Sequence, residues 1–150
     1  MTLKKIAMMS TKTQITTELN ESIGNVLGKN VKILYKSLIR MESRGDKVDN
    51  RVLVVTSFRI FITTTKIPSR VDNGFHLMEI EALESKKPNH LSITLIHEHK
   101  PVSILIGEEG SSEGVINVIH ALAAAFDDLF PNVPMQDIIA KVSLPFLEQR

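Results

Sequence analysis

The sequence predicts a mostly β protein with helices (α+β): a β-sandwich or partly open barrel of about seven antiparallel strands, capped by a long C-terminal helix and preceded by a short N-terminal helix. Three observations carry this prediction. Between Val31 and Ile106 apolar residues recur largely at every second position, in short runs broken by Gly, Pro, Asn and Asp. Between Val115 and Phe130 they recur at helical spacing. A series of strands followed by one long helix closes when the helix covers an open end of the sandwich.

The elements follow in order. Residues 1–15 show no sustained period and are expected to form a mobile tail. Thr17 is placed to cap a short amphipathic helix carrying Leu19, Ile23, Val26 and Leu27, with Gly28 as its stop. A long strand follows, with Val31, Ile33, Tyr35, Ile39 and Met41 on one face and Lys32, Lys36, Arg40 and Arg44 on the other. Gly45 to Asn50 turns the chain into Arg51 to Thr56, and Arg59 to Thr65 completes an antiparallel meander. Ile67 to Gly74 has loop composition with a short strand starting at its end, and Met78 to Glu84 is assigned to a strand by its place in the series. Leu91 to Leu95 and Val102 to Ile106 are further strands. Ser111 and Ser112 offer caps to the long helix, whose stripe is Val115, Ile119, Leu122, Phe126, Leu129 and Phe130, and Pro131 ends it. Pro134 then opens a short helix with Ile138, Ile139 and Val142 on one side.

At 150 residues, 43% apolar and 23% charged, the chain fits one domain with a real core. It has no cysteine, which excludes disulfides, thiolate metal sites and a Cys nucleophile. The opening Met1 to Met9 has too short an apolar run for a secretory signal, and no stretch approaches a membrane span, so the reading is cytoplasmic. Charge divides along the chain: residues 29–70 hold ten Lys/Arg against three acids, whereas 71–150 hold five against twelve. If the fold keeps these segments on different surfaces, the positive one seeks anions.

No constellation for chemistry emerges, and an enzyme is not expected. His97-Glu98-His99 lacks a third ligand and is expected at an exposed strand end; no metal or cofactor is assigned. Gly107 to Gly114 has three acids and no Gly-Lys-Ser/Thr, so it reads as a capping turn rather than a phosphate loop. Asp127 and Asp128 are adjacent, and point about 100° apart on a helix, so they read as a solvated face. Nucleic acid is disfavoured by 5% aromatic content and no Trp.

The segment Leu53-Val54-Val55-Thr56-Ser57-Phe58-Arg59-Ile60 resembles the Leu-x-x-Thr-x-x-Arg-aliphatic hairpin of PH and GRAM domains. Its surroundings, from Gly45-Asp46-Lys47-Val48-Asp49-Asn50-Arg51 to Lys66-Ile67-Pro68, with Phe130-Pro131-Asn132 and Lys141-Val142-Ser143 further on, resemble the N-terminal PH domain of the CARMIL family. The resemblance implies a PH-like domain over residues 16–131, with 132–150 a short helix and exit linker toward a missing downstream region. It also implies a larger protein with leucine-rich repeats that regulates actin capping protein, linked to myosin I and peripheral at the plasma membrane.

In such a domain, anionic headgroups meet the open end formed by the first hairpin turn and the loop between strands three and four. Arg40, Arg44, Lys47, Arg51, Lys66 and Arg70 fall there or on its approach and are the expected lipid-binding residues. The stretch Lys47-Val48-Asp49-Asn50-Arg51 is looser than an inositol-phosphate pocket requires and includes an acid, so weak, low-selectivity binding to anionic lipids is expected. Stable recruitment then needs a second anchor or a homodimer. The rival expectation is a protein-interaction module, packing on a partner or on downstream repeats, motivated by the apolar end from Leu144 to Leu147 and the acidic end of the long helix.

Overall fold

Val52, Leu53, Val54 and Val55 are consecutive, apolar and fully buried. Successive side chains on a strand point to opposite faces, so this run needs cover on both. The computed structural model, which describes residues 15–42 and 47–145, shows what supplies it. In chain order the elements are α1 (Thr17–Leu27), β1 (Ile33–Glu42), β2 (Val48–Thr56), β3 (Arg59–Thr64), β4 (Val71–His76), a 3-10 turn (Leu77–Glu79), β5 (Ile80–Glu84), β6 (His90–Leu95), β7 (Val102–Leu105), α2 (Glu113–Leu129), the single turn α3 (Met135–Ile138) and β8 (Lys141–Ser143). Leu53 and Val55 enter the main core with Ile60, Ile62, Leu83, Ile93, Ile104 and the α2 residues Val115, Leu122 and Phe126. Val52 and Val54 face the other way, onto Leu19 and Ile23 of α1.

The strands form one eight-stranded sheet in the order β4-β3-β2-β1-β7-β6-β5-β8. Strands β1 to β3 make the expected antiparallel meander, which β4 extends, β5 to β7 make a second, and β1 joins the two by pairing Arg40 with Leu105 and Met41 with Ile104 of β7. Helix α2 buries Val115, Val118, Ile119, Leu122, Ala125 and Phe126 in the core that both meanders share. Residues 132–145 pack on the same core through Met135, Ile139 and Leu144.

Several local expectations are revised. The α1 cap is Thr16 rather than Thr17: the Leu19 amide donates to its Oγ1 at 3.2 Å. A bulge between Ile33 and Tyr35 sends Ile33 to the α1 side, while Tyr35, Ile39 and Met41 keep to the main core. The expected turn through Asn50 is shorter, because β2 begins at Val48 opposite Glu42. Val71 to Gly74 is strand rather than loop; at an edge, pairing with β3 outweighs the poor strand propensity of Asp, Asn and Gly. The C-terminal stripe runs on through Leu129, which packs half-buried on the core, but does not include Phe130, which is 38% exposed. Val142 belongs to a strand and not to a helix: β8 pairs in parallel with β5, Leu83 opposite Val142. Of the expected segments, the tail to residue 14, the turn residues 43–46 and Phe146 with Leu147 lie outside the described residues.

The first turn of α2 approaches β7's exit closely enough that a β-carbon at Gly114 would collide with the Ile106 side chain. Overpacking of this kind costs about 1–3 kcal/mol. Gly114→Ala is therefore expected to lower the urea midpoint by the equivalent of about 1–3 kcal/mol with an unchanged m-value, read by chemical denaturation. An unchanged midpoint would show that α2 can shift without penalty.

Candidate functional site

Two segments meet at one end of the first meander. The β2–β3 ladder stops at Arg51 opposite Thr64, so Val48 to Asn50 overhang it, and the chain leaves β3 into the 65–70 loop on the same side. That loop is pinned rather than free. The Thr64 amide donates to the Arg70 carbonyl at 2.9 Å, the Arg70 amide to Thr64 Oγ1 at 3.1 Å, and the buried Ser69 gives its amide to Ser22 Oγ of α1 at 2.6 Å. Lys66, Ile67, Pro68 and Arg70 are left exposed.

The five basic candidates among the described residues do not form one patch. Lys66 and Arg70 share the pinned loop, and Lys47 stands exposed at the start of β2. Arg51 lies nearby but is spoken for. Its Nε is 3.2 Å from Asp72 Oδ2, its Nη2 is 3.9 Å from Asp49 Oδ2, and its Nη1 donates to the Asn50 carbonyl at 2.8 Å. With the Arg51 side chain only 24% exposed, two carboxylates offset its charge before any ligand arrives. Arg40 reaches the exit of β7, where its Nη2 donates to the Gly107 carbonyl. It lines an open cleft of about 910 Å³ with Asn50, Thr65, Glu108 and Glu113, and the two carboxylates there disfavour an anion. Arg44 lies outside the described residues.

Sequence reasoning missed Asp72. It was counted with the acidic segment just past residue 70, yet β4 folds back beside β3 and brings it to Arg51. Lys32 likewise pairs with Asp128 of α2 at 3.8 Å. The basic and acidic segments therefore interlock in part and do not occupy wholly separate surfaces. Asp127 also has an internal role, accepting the Asn132 amide at 3.3 Å where α2 ends. His97, Glu98 and His99 sit beyond β6 in an exposed turn rather than on the strand, and among the described residues no group of three or more His, Cys, Asp or Glu is placed to hold a metal. No described helix is long and apolar enough to cross a membrane.

Two antiparallel meanders closed by a C-terminal helix are the pleckstrin homology architecture, and solved structures bear this out. The N-terminal PH domain of human ARAP2 superposes with a TM-score of 0.54 at 12% identity, covering 73% of this chain and 91% of that one. A structure of the Vav1 exchange factor containing its PH and C1 domains gives 0.55 at 8% identity, covering 79% and 35%. These likenesses define the fold class. A family model described as the Carmil pleckstrin homology domain matches residues 33–131, and the chain belongs to that family. It is similar to capping protein, Arp2/3 and myosin-I linker protein 3 from mouse, 27% identical over 124 residues, which are 83% of this chain and 9% of that protein. The human protein of the same name is 27% identical over 118 residues, 79% and 8%. The chain thus spans under a tenth of the length of these curated relatives.

On the outer face of the second meander, the register sets Arg40, Leu105 and His90 in one row across β1, β7 and β6. His90 Nε2 lies 2.7 Å from Ser103 Oγ, and Nδ1 is buried without a protein partner. Burial holds the imidazole below its usual value of 6.5; Glu42 opposes this, and Lys86 and Lys87 add to it. A folded-state value below the unfolded one means the unfolded chain binds the proton first, so acid favours unfolding. Stability is expected to fall as pH drops below 6.5 and to level off once folded His90 is itself protonated. Comparing melting temperatures from about pH 7.5 to about pH 5 for wild type and His90→Gln reads this directly, because Gln removes the titration near the histidine range. Parallel curves for the two proteins would assign the acid sensitivity to other groups.

Proposed function

We propose that this PH domain is a weak, low-selectivity binder of anionic phospholipid surfaces. The observation that carries the reading is the pinned, exposed loop bearing Lys66 and Arg70, with Lys47 exposed at the start of β2 and Arg51 already offset by Asp72 and Asp49. A headgroup pocket needs converging cations that are open to the ligand. Here the one partly buried arginine of this end has its charge offset by two carboxylates, and Lys66 and Arg70 lie exposed on the loop. What such a surface offers is diffuse attraction, worth about 1 kcal/mol per basic residue near an anionic leaflet. Three or four such contacts give a dissociation constant on the order of millimolar, steeply salt-dependent.

Such a module needs a larger protein or a homodimer to hold it at the membrane. The curated relatives are named as linkers of capping protein, Arp2/3 and myosin-I. We place this domain in a protein of that kind: cytoplasmic, associated with the actin cytoskeleton, peripheral at the plasma membrane, acting on capping protein and actin assembly through regions beyond this chain. A second reading, a protein-interaction module without lipid binding, is favoured by a different surface. Phe58, Met78 and Ile96 are exposed, and two backbone hydrogen bonds, Leu77 amide to Phe58 carbonyl and Ile96 amide to Glu79 carbonyl, tie their segments together.

Vesicle sedimentation separates the readings. With phosphatidylserine-containing vesicles at low salt, the wild type is expected to pellet, and a Lys47→Glu, Lys66→Glu, Arg70→Glu variant to remain in solution. Asp72→Asn, which releases Arg51 from its nearer carboxylate, is expected to bind about fivefold more tightly, the equivalent of roughly 1 kcal/mol. Equal pelleting of wild type and the reversed variant would remove the charge surface; no pelleting at low salt would leave the protein-interaction reading.

A further inference from the structure

Ile67 is the most exposed large apolar side chain among the described residues, at 59%. Single exposed apolar residues are common and need no explanation by themselves. This one differs in its setting. It sits at the tip of the pinned loop, directly after Lys66 and three residues before Arg70, with both ends of the loop tied down at Thr64, Arg70 and Ser69. Two further apolar side chains are exposed at the same end, Val48 on the overhang of β2 and Val71 at the start of β4. A protein partner would need a buried area of about 800 Å² on each side, which a one-residue wedge between cations does not provide. A lipid interface suits it: cations at the level of the phosphates and an apolar tip at the boundary of the acyl chains.

We infer that Ile67 inserts into the headgroup–acyl boundary when the loop meets an anionic bilayer, which adds a salt-insensitive, apolar contribution to the charge attraction. This rests on the membrane reading above and specifies it, since a wedge recognises a bilayer and not a soluble phosphate. Rigidity matters, because the pinned loop has little ordering left to lose when the tip is buried. The opposite end of the β3–β4 hairpin also exposes apolar residues, Phe58 and Met78, but these lie about a strand length, roughly 20 Å, from the loop.

The chain contains no tryptophan, so Ile67→Trp supplies a single fluorescent reporter. With phosphatidylserine-containing vesicles its emission is expected to shift to the blue and become shielded from an aqueous quencher, and inositol hexakisphosphate in solution is expected to leave it unchanged. Ile67→Asn retains every charge and is expected to bind the vesicles about tenfold more weakly, at low and moderate salt alike, while Met78→Asn binds as wild type does. Unchanged melting temperatures confirm that the variants fold. If Ile67→Asn pellets like wild type, or the reporter responds to the soluble phosphate alone, insertion is overturned while the charge surface stands. If wild type itself fails to pellet at low salt, both fall.

Discussion

The four-residue run from Val52 to Val55 is buried on both faces of β2, and the layers of the molecule are arranged around that requirement. Full burial of each such side chain is worth about 1.5–3 kcal/mol, which a solvent-facing sheet would forfeit for the outward pair. Helix α1 prevents that loss by setting Leu19 and Ile23 over Val52 and Val54. The same helix places Ser22 where it holds Ser69, so the helix that covers the sheet also fixes the loop at its end. Core packing and site geometry are therefore coupled through one short helix.

Charge is arranged with less concentration than the sequence implies. Lys32 with Asp128 and Arg51 with Asp72 each join the basic segment to the acidic one, and neither pair is deeply buried. Exposed pairs contribute little to stability, so their effect is chiefly on the field the domain presents. Asp72 offsets one cation at the loop end, and Lys66 and Arg70 stand exposed on the loop itself. Dispersed cations attract a charged surface without recognising an arrangement of phosphates.

Sheet edges are handled by two devices. The outer edge of β5 is covered by the chain's own β8, whose position is held by Met135, Ile139 and Leu144 in the core. The edge strand β4 is short, irregular in register at Ile62 and Thr63, and carries Asp72, Asn73 and Gly74 on its exposed stretch. Short, charged and distorted edges resist pairing with other chains.

Local pattern was enough to read the first three-stranded meander, the strands that follow it, the two main helices and the glycine that stops α1, because alternation, helical spacing and turn chemistry act over a few residues. It was also enough to place Lys66 and Arg70 in a loop, since Pro68 and Ser69 mark one. It misplaced β8, read as helix from Ile138, Ile139 and Val142, because pairing with β5 is a contact across more than fifty residues. It could not show that Arg40 would turn to Gly107, or that Asp72 would offset Arg51, since both depend on strands distant in sequence meeting in space. The sequence by itself determined which elements form and which residues carry charge. Only the tertiary structure decided which charges remain open to solvent and which apolar side chain stands among them, because both are properties of long-range contact and no local pattern records them.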